Sequence, residues 1–140
     1  GIPDTAEIGD AFGAALASGD LDGDGYADLV IGAPFEDLSV EEAGVIHVLF
    51  GSASGLTSTG TELWSQDSAG VADIAEETDR FGQVLAVGNV GNGSFDDLVI
   101  GVPAEDYNPR DGTAALQRRL CDARRHHRRR HGEPALQPGG

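Results

Sequence analysis

The chain has 140 residues and a formal net charge of −15, with 24 Asp and Glu against nine arginines and no lysine. The charge is unevenly placed: through Leu116 only Arg80 and Arg110 face 22 acidic residues, whereas from Gln117 onward seven arginines face Asp122 and Glu133. An acidic, aromatic-poor first part argues against nucleic-acid binding, which favours a basic face; no run of about twenty apolar residues is present to span a membrane; and the single cysteine, Cys121, leaves the first part without a disulfide.

Taken in chain order, residues 1–10 read as a loop. A short apolar run from Ala11 to Ala17 reads as a first strand, and Ala27 to Gly32, centred on Leu29-Val30-Ile31, as a second. Between them stand Asp20, Asp22, Asp24 and Asp28, at positions 1, 3, 5 and 9 of a loop whose turn Gly23 and Gly25 permit. A hard cation such as calcium takes about six to eight oxygens, and alternate residues of a tight loop can point at one centre. The Tyr26 carbonyl falls at position 7. An EF-hand would need Glu at position 12 and flanking helices, but Ile31 stands there, inside a strand-like run. The alternative is a solvated Asp/Gly turn, since both residue types are common in turns.

Two further strands are expected at Gly44–Gly51 and Thr61–Gln66, with turn signals at 51–55 and 67–70. After them the pattern returns. Gly1 to Pro34 lies over Gly70 to Pro103 without a gap, at an offset of 69 residues; Phe12-Gly13 recurs as Phe81-Gly82 and Asp28-Leu29-Val30-Ile31-Gly32 as Asp97-Leu98-Val99-Ile100-Gly101. The match starts at the first residue, so the chain is expected to begin inside a repeat. Four short strands per repeat, without helical periodicity, describe an all-β propeller blade.

Phe12-Gly13, the DxDxDG loop and Gly32-Ala33-Pro34, echoed by Phe81-Gly82 and Gly101-Val102-Pro103, resemble the FG-GAP repeat of integrin α-subunit propellers and of secreted bacterial proteins. The resemblance covers residues 1 to about 115. It implies calcium bound in the loop between a blade's first two strands, here by Asp20, Asp22, Asp24, Tyr26 and Asp28. In the second copy Asn89, Gly91 and Gly93 replace the first three aspartates, so only Asn89, the Phe95 carbonyl and Asp97 keep matching places. Three carboxylates are lost, and at Gly91 and Gly93 the side-chain oxygens go with them, so that loop should bind calcium weakly or not at all.

From Gln117 the tail QRRLCDARRHHRRRHGEPALQPGG abandons the repeat where a third strand is due. Taken literally it is a basic, histidine-bearing arm suited to nucleic acid, metal or the acidic body. With GC-rich codons shifted by one nucleotide, however, it yields NVVYATRAGITAAGTE against His47–Glu62, HVLFGSASGLTSTGTE. A displaced reading frame is therefore expected near Ala114–Leu116, leaving the tail without selected chemistry and disordered or loosely attached; coding DNA with a sound frame and no further repeats would overturn this.

Among other residues, Phe12, Phe81, Phe50, Leu29 and Ile31 are expected in the core, Trp64 and Tyr26 between blades, and His47 in a structural role. The pairs Glu36-Asp37 and Glu105-Asp106 suit solvated loops at one end of the blades.

The expected architecture is all-β: a fragment of a β-propeller with about two four-stranded antiparallel blades, the second incomplete. Residues 1–10 are a loop from a preceding repeat, 11–79 the first blade, 80–116 the second, truncated blade and 117–140 the tail. The expected function is non-catalytic, a Ca2+-binding module of an extracellular or cell-surface adhesion protein. Its partners would be further blades of the same chain and a protein or carbohydrate ligand, with no nucleic acid and no membrane span. The alternative is an accessory propeller of a secreted hydrolase whose catalytic domain lies elsewhere.

Overall fold

Residues 2, 4–71, 73–91, 93–104 and the backbone of 117–118 are described by a computed structural model of the chain. It is all-β: among the described residues there is no helix. Strands β1 (Ala15–Gly19), β2 (Asp28–Ala33), β3 (Val45–Phe50) and β4 (Thr57–Trp64) form one antiparallel sheet in sequential order. Strands β5 (Val84–Gly88), β6 (Asp97–Gly101) and β7 (Gln117–Arg118) form a second. Two successive meanders of this kind are a fragment of a β-propeller.

The inner strands show why the apolar runs are continuous rather than alternating. β2 and β3 are covered on both faces, so nearly every position must be apolar. β1 and β4 are partly exposed along their length. The core joins the blades: Val30, Ile46, Val48 and Phe50 of the first pack with Phe81, Leu98, Ile100 and Val102 of the second, and Trp64, Leu85 and Val87 lie against them.

The first strand starts at Ala15, later than the expected Ala11, because Phe12 and Gly13 lie in a turn. Ala11 adopts φ 53° and Gly13 φ 87°, and the Ala14 N–H donates to the Ala11 carbonyl at 2.9 Å. A left-handed alanine carries no sequence signal. The second blade repeats the device with Arg80 at φ 61° and Gly82 at φ 84°. The fourth strand starts earlier than Thr61: Val48 pairs with Glu62 but Phe50 with Thr57, so the outer strand bulges. It ends at Trp64, and Gln66 beyond it is buried.

The blades are joined by residues 78–81 running beside 41–43. The N–H groups of Thr78, Arg80 and Phe81 donate to the carbonyls of Glu41, Glu42 and Ala43 at 2.9, 3.1 and 2.9 Å. Arg80 adds an ion pair to Glu42 at 3.2 Å and lies 5.0 Å from the centre of the Phe35 ring. At Gly44, with φ +81°, an added Cβ would stand 2.4 Å from the Phe81 carbonyl oxygen, so only glycine lets this turn seat.

Burial corrects two expectations. Phe81 is fully buried whereas Phe12, at the same place in the preceding repeat, is 52% exposed; Tyr26 is 43% exposed and does not pack between blades. Phe50, Ile31 and Trp64 are placed as expected, in or against the core. Residues 105–116 and 119–140, which hold Glu105-Asp106, the expected end of the second blade and Cys121, lie outside those described.

Candidate metal centre

The loop from Asp20 to Asp28 closes the hairpin between β1 and β2, and its shape comes from its own carboxylates. Asp20 Oδ1 accepts N–H bonds from Gly23 at 2.6 Å and Asp24 at 3.1 Å, and Oδ2 accepts one from Gly25 at 3.0 Å. Asp22 Oδ1 receives the Asp24 N–H at 3.2 Å. The loop amides are thus turned inward onto an anion before any cation is considered, a preorganised turn.

Asp28 anchors the far end. It is almost fully buried, its Oδ2 accepting the Leu21 N–H at 2.8 Å and its Oδ1 the Gly51 N–H at 2.9 Å. Burial pushes its carboxyl above the usual range; the two N–H groups oppose this, while the charges of Asp22 and Asp24 add to it. A cation at this point would relieve both the desolvation and the repulsion.

One carboxylate oxygen from each of Asp20, Asp22 and Asp28 lies within 4.8 Å of the others. Asp24, a further member of the expected set, is not part of this group. Asp24 Oδ1 is occupied by the Tyr26 N–H at 2.9 Å, which folds that side chain back along the loop.

The second loop keeps the anchor and loses the cluster. Asp97 Oδ2 accepts the N–H groups of Val90 and Gly91 at 3.0 and 2.7 Å, matching the Asp28 anchor. At the position of Asp20, Asn89 instead donates its Nδ2 to the Gly93 carbonyl at 2.9 Å. A neutral amide, tied to the loop backbone, stands where the first loop has a carboxylate. Comparing the loops separates the two jobs of the acidic residues: the ninth position holds the hairpin, and the first and third concentrate charge.

Residues 12–49 match the family model described as the FG-GAP repeat, and 106 residues are 34% identical to Integrin alpha-4 of Xenopus laevis, covering 71% of this chain and 9% of that protein. The chain is an FG-GAP repeat protein. The FG-GAP match spans β1 to β3, with the acidic loop at its centre. Integrin alpha-X of Homo sapiens is 35% identical over 106 residues, 73% of this chain and 8% of its own length. Phosphatidylinositol-glycan-specific phospholipase D of Rattus norvegicus is 32% identical over 94 residues, 66% of this chain and 11% of that protein. The FG-GAP chain therefore spans about a tenth of the length of these relatives.

A separate concavity of about 210 Å³ lies between loop residues 4–10 and the start of the β2–β3 connection, lined in part by Asp4, Asp10, Phe12, Glu36 and His47. Glu36, expected in a solvated loop, is buried. Its carboxyl is pushed up to about 7, first by burial and then by the charges of Asp4 and Asp10 and a hydrogen bond with Asp4. Among the described residues neither ring nitrogen of buried His47 finds a hydrogen-bond partner, Nε2 standing 3.9 Å from Asp4 Oδ2; burial lowers its pKa, with Asp4 acting the other way. Sequence reading missed this group because residues 4–10 reach it only by folding back, Phe35 N–H donating to the Asp10 carbonyl at 3.3 Å.

Proposed function

We propose that the Asp20–Asp28 loop binds one Ca2+ ion through the carboxylates of Asp20, Asp22, Asp24 and Asp28 and the Tyr26 carbonyl, with water completing the shell. The observation that carries this is the convergence of Asp20, Asp22 and Asp28 within 4.8 Å of one another, together with the neutral Asn89 amide at the corresponding place in the second loop. Asp24 joins by turning its Oδ2 inward. Asn89, the Phe95 carbonyl and Asp97 form the weak or lost second site. Binding releases the crowding of like charges, so the ion stabilises the folded hairpin by an amount that grows with the logarithm of its concentration above Kd.

In this reading the chain is a non-catalytic module, residues 11–79 and 80–116 being successive blades of a larger propeller. The parent protein works outside the cell or on its surface and binds a protein or carbohydrate, as the likeness to integrin alpha chains suggests. A second reading, an accessory propeller of a secreted hydrolase, is favoured by the likeness to a phospholipase D. Sequence flanking the blades in the parent protein separates the two, since a hydrolase brings its own nucleophile and base.

Calorimetric titration with Ca2+ tests the site. One site per chain is expected, abolished by Asp20→Asn with Asp22→Asn. Two equally tight sites, or binding indifferent to that double substitution, would refute the assignment.

A further inference from the structure

The second loop has given up its acidic cluster, and its remaining residues reach across to the first. Asp96 Oδ2 accepts the Asp20 N–H at 3.0 Å, and the Asp96 N–H donates to the Asp20 carbonyl, also at 3.0 Å. Two hydrogen bonds from one residue thus grip the backbone of the residue that opens the acidic loop. Phe95 covers the middle of the same loop: a Cβ built on Gly23 would stand 1.9 Å from its Cε1, so the ring lies directly on the turn. Beside them, an added Cβ on Gly19 would meet Val87 Cγ1 at 2.3 Å and Asp96 Oδ2 at 2.6 Å. The 69-residue offset places Tyr26 and Ala27 where the second loop has Phe95 and Asp96. Both first-loop residues are exposed, and the grip runs from the second blade back onto the first.

We infer that Phe95 and Asp96 are positioning residues for the first loop's cation site, and that cation occupancy is coupled through them to docking of the second blade on the first. This rests on the reading of Asp20–Asp28 as a cation site. Asp20 is the common element: its carboxylate gathers the loop amides, and its own N–H and C=O are held by the neighbouring blade. Freeing the backbone lets the carboxylate wander, which weakens cation binding. Conversely, a bound cation fixes Asp20 and presents a rigid surface to Phe95 and Asp96. Linkage makes the two effects equal in free energy.

The test uses Tb3+ as a luminescent probe, sensitised by Tyr26 within the loop and displaced by Ca2+, on the full chain and four variants. Asp96→Ala and Phe95→Ala should each weaken Ca2+ about tenfold, the scale of a lost charge-assisted hydrogen bond or an uncovered turn. Asp96→Asn, whose Oδ1 still accepts the Asp20 N–H, should remain within about threefold of the parent chain. A residue that merely stabilised the fold would lower the unfolding midpoint equally in Ca2+ and in chelator and leave the affinity of the folded protein intact. Unchanged affinity in Asp96→Ala and Phe95→Ala, with Asp20→Asn abolishing binding, overturns the coupling and leaves the site standing. Binding that survives Asp20→Asn overturns the site and the coupling with it. Should Asp96→Ala fail to fold, Phe95→Ala decides alone.

Discussion

Phe12 and Phe81 occupy the same position of the same motif, yet substituting them should give very different results. Phe81 is fully buried, with its N–H bonded to the Ala43 carbonyl at 2.9 Å. Phe12 is 52% exposed and meets the edge of His47 at 5.2 Å between ring centres. Truncating a buried phenylalanine to alanine costs about 3–5 kcal/mol through lost transfer and the cavity left behind. Phe12 has withdrawn about half its surface from water, so its truncation should cost about 1 kcal/mol. Net stability of a whole domain is about 5–15 kcal/mol, and two stacked repeats fall at the low end because each depends on its neighbour. Phe81→Ala should therefore separate the blades outright. Urea unfolding followed by Trp64, the only tryptophan and one that packs against the shared core, reads this at saturating Ca2+. Phe12→Ala should shift the midpoint slightly with the slope unchanged, while Phe81→Ala should lower both, since less surface unfolds cooperatively. Equal losses for the two would show that Phe12 is covered in solution, and would refute the contrast in burial between the two phenylalanines.

The buried carboxylates give two more tests. In chelator, Asp28→Asn should cost about 2–3 kcal/mol, because Leu21 and Gly51 bond to different oxygens of Asp28 and an amide leaves one buried N–H facing another. Asp97→Asn should cost clearly less, since Val90 and Gly91 share one oxygen; thermal unfolding showing the reverse order would contradict the anchor geometry. Glu36, raised from 4.5 to about 7, binds its proton more tightly folded than unfolded. Its contribution is therefore fully present below pH 4.5 and is lost as pH rises through about 7, by at most about 3 kcal/mol. His47, lowered by burial, acts oppositely, its contribution being lost as pH falls below 6.5. Glu36→Gln, with His47, Asp4, Glu7 and Asp10 unchanged, should flatten the decline in melting temperature between pH 5 and 8; a parallel profile would show that the carboxyl is not held protonated.

The strands and the acidic loop were legible because they are local. Alternate aspartates with Gly23 and Gly25 announce a turn, and the runs through Val30 and Val48 announce covered strands. What sequence could not supply was the neighbour. Phe12 and Phe81 are indistinguishable in pattern, and only the presence of residues 41–44 beside the second decides burial. Asp96 and Asp20 meet across 76 residues, with no periodicity to signal it. The strand limits moved for a different reason: Ala11 and Arg80 adopt left-handed backbone with ordinary side chains, a choice made by the turn they close rather than by their own propensity.

The same contrast governs β7. Ile100 pairs with Gln117 and Val99 with Arg118, as Ile31 pairs with His47 and Val30 with Val48 in the first sheet. The connection leading to Gln117 is one residue longer, yet the partners on β6 and β2 are equivalent. Ladder hydrogen bonds join backbone to backbone, and the open edge of β6 offers the same donors and acceptors as that of β2. A segment of foreign composition can therefore continue the sheet in the blade's own register. The repeat is carried twice, once by side chains that build the acidic loop and the shared core, and once by a backbone template that persists where the side-chain pattern stops.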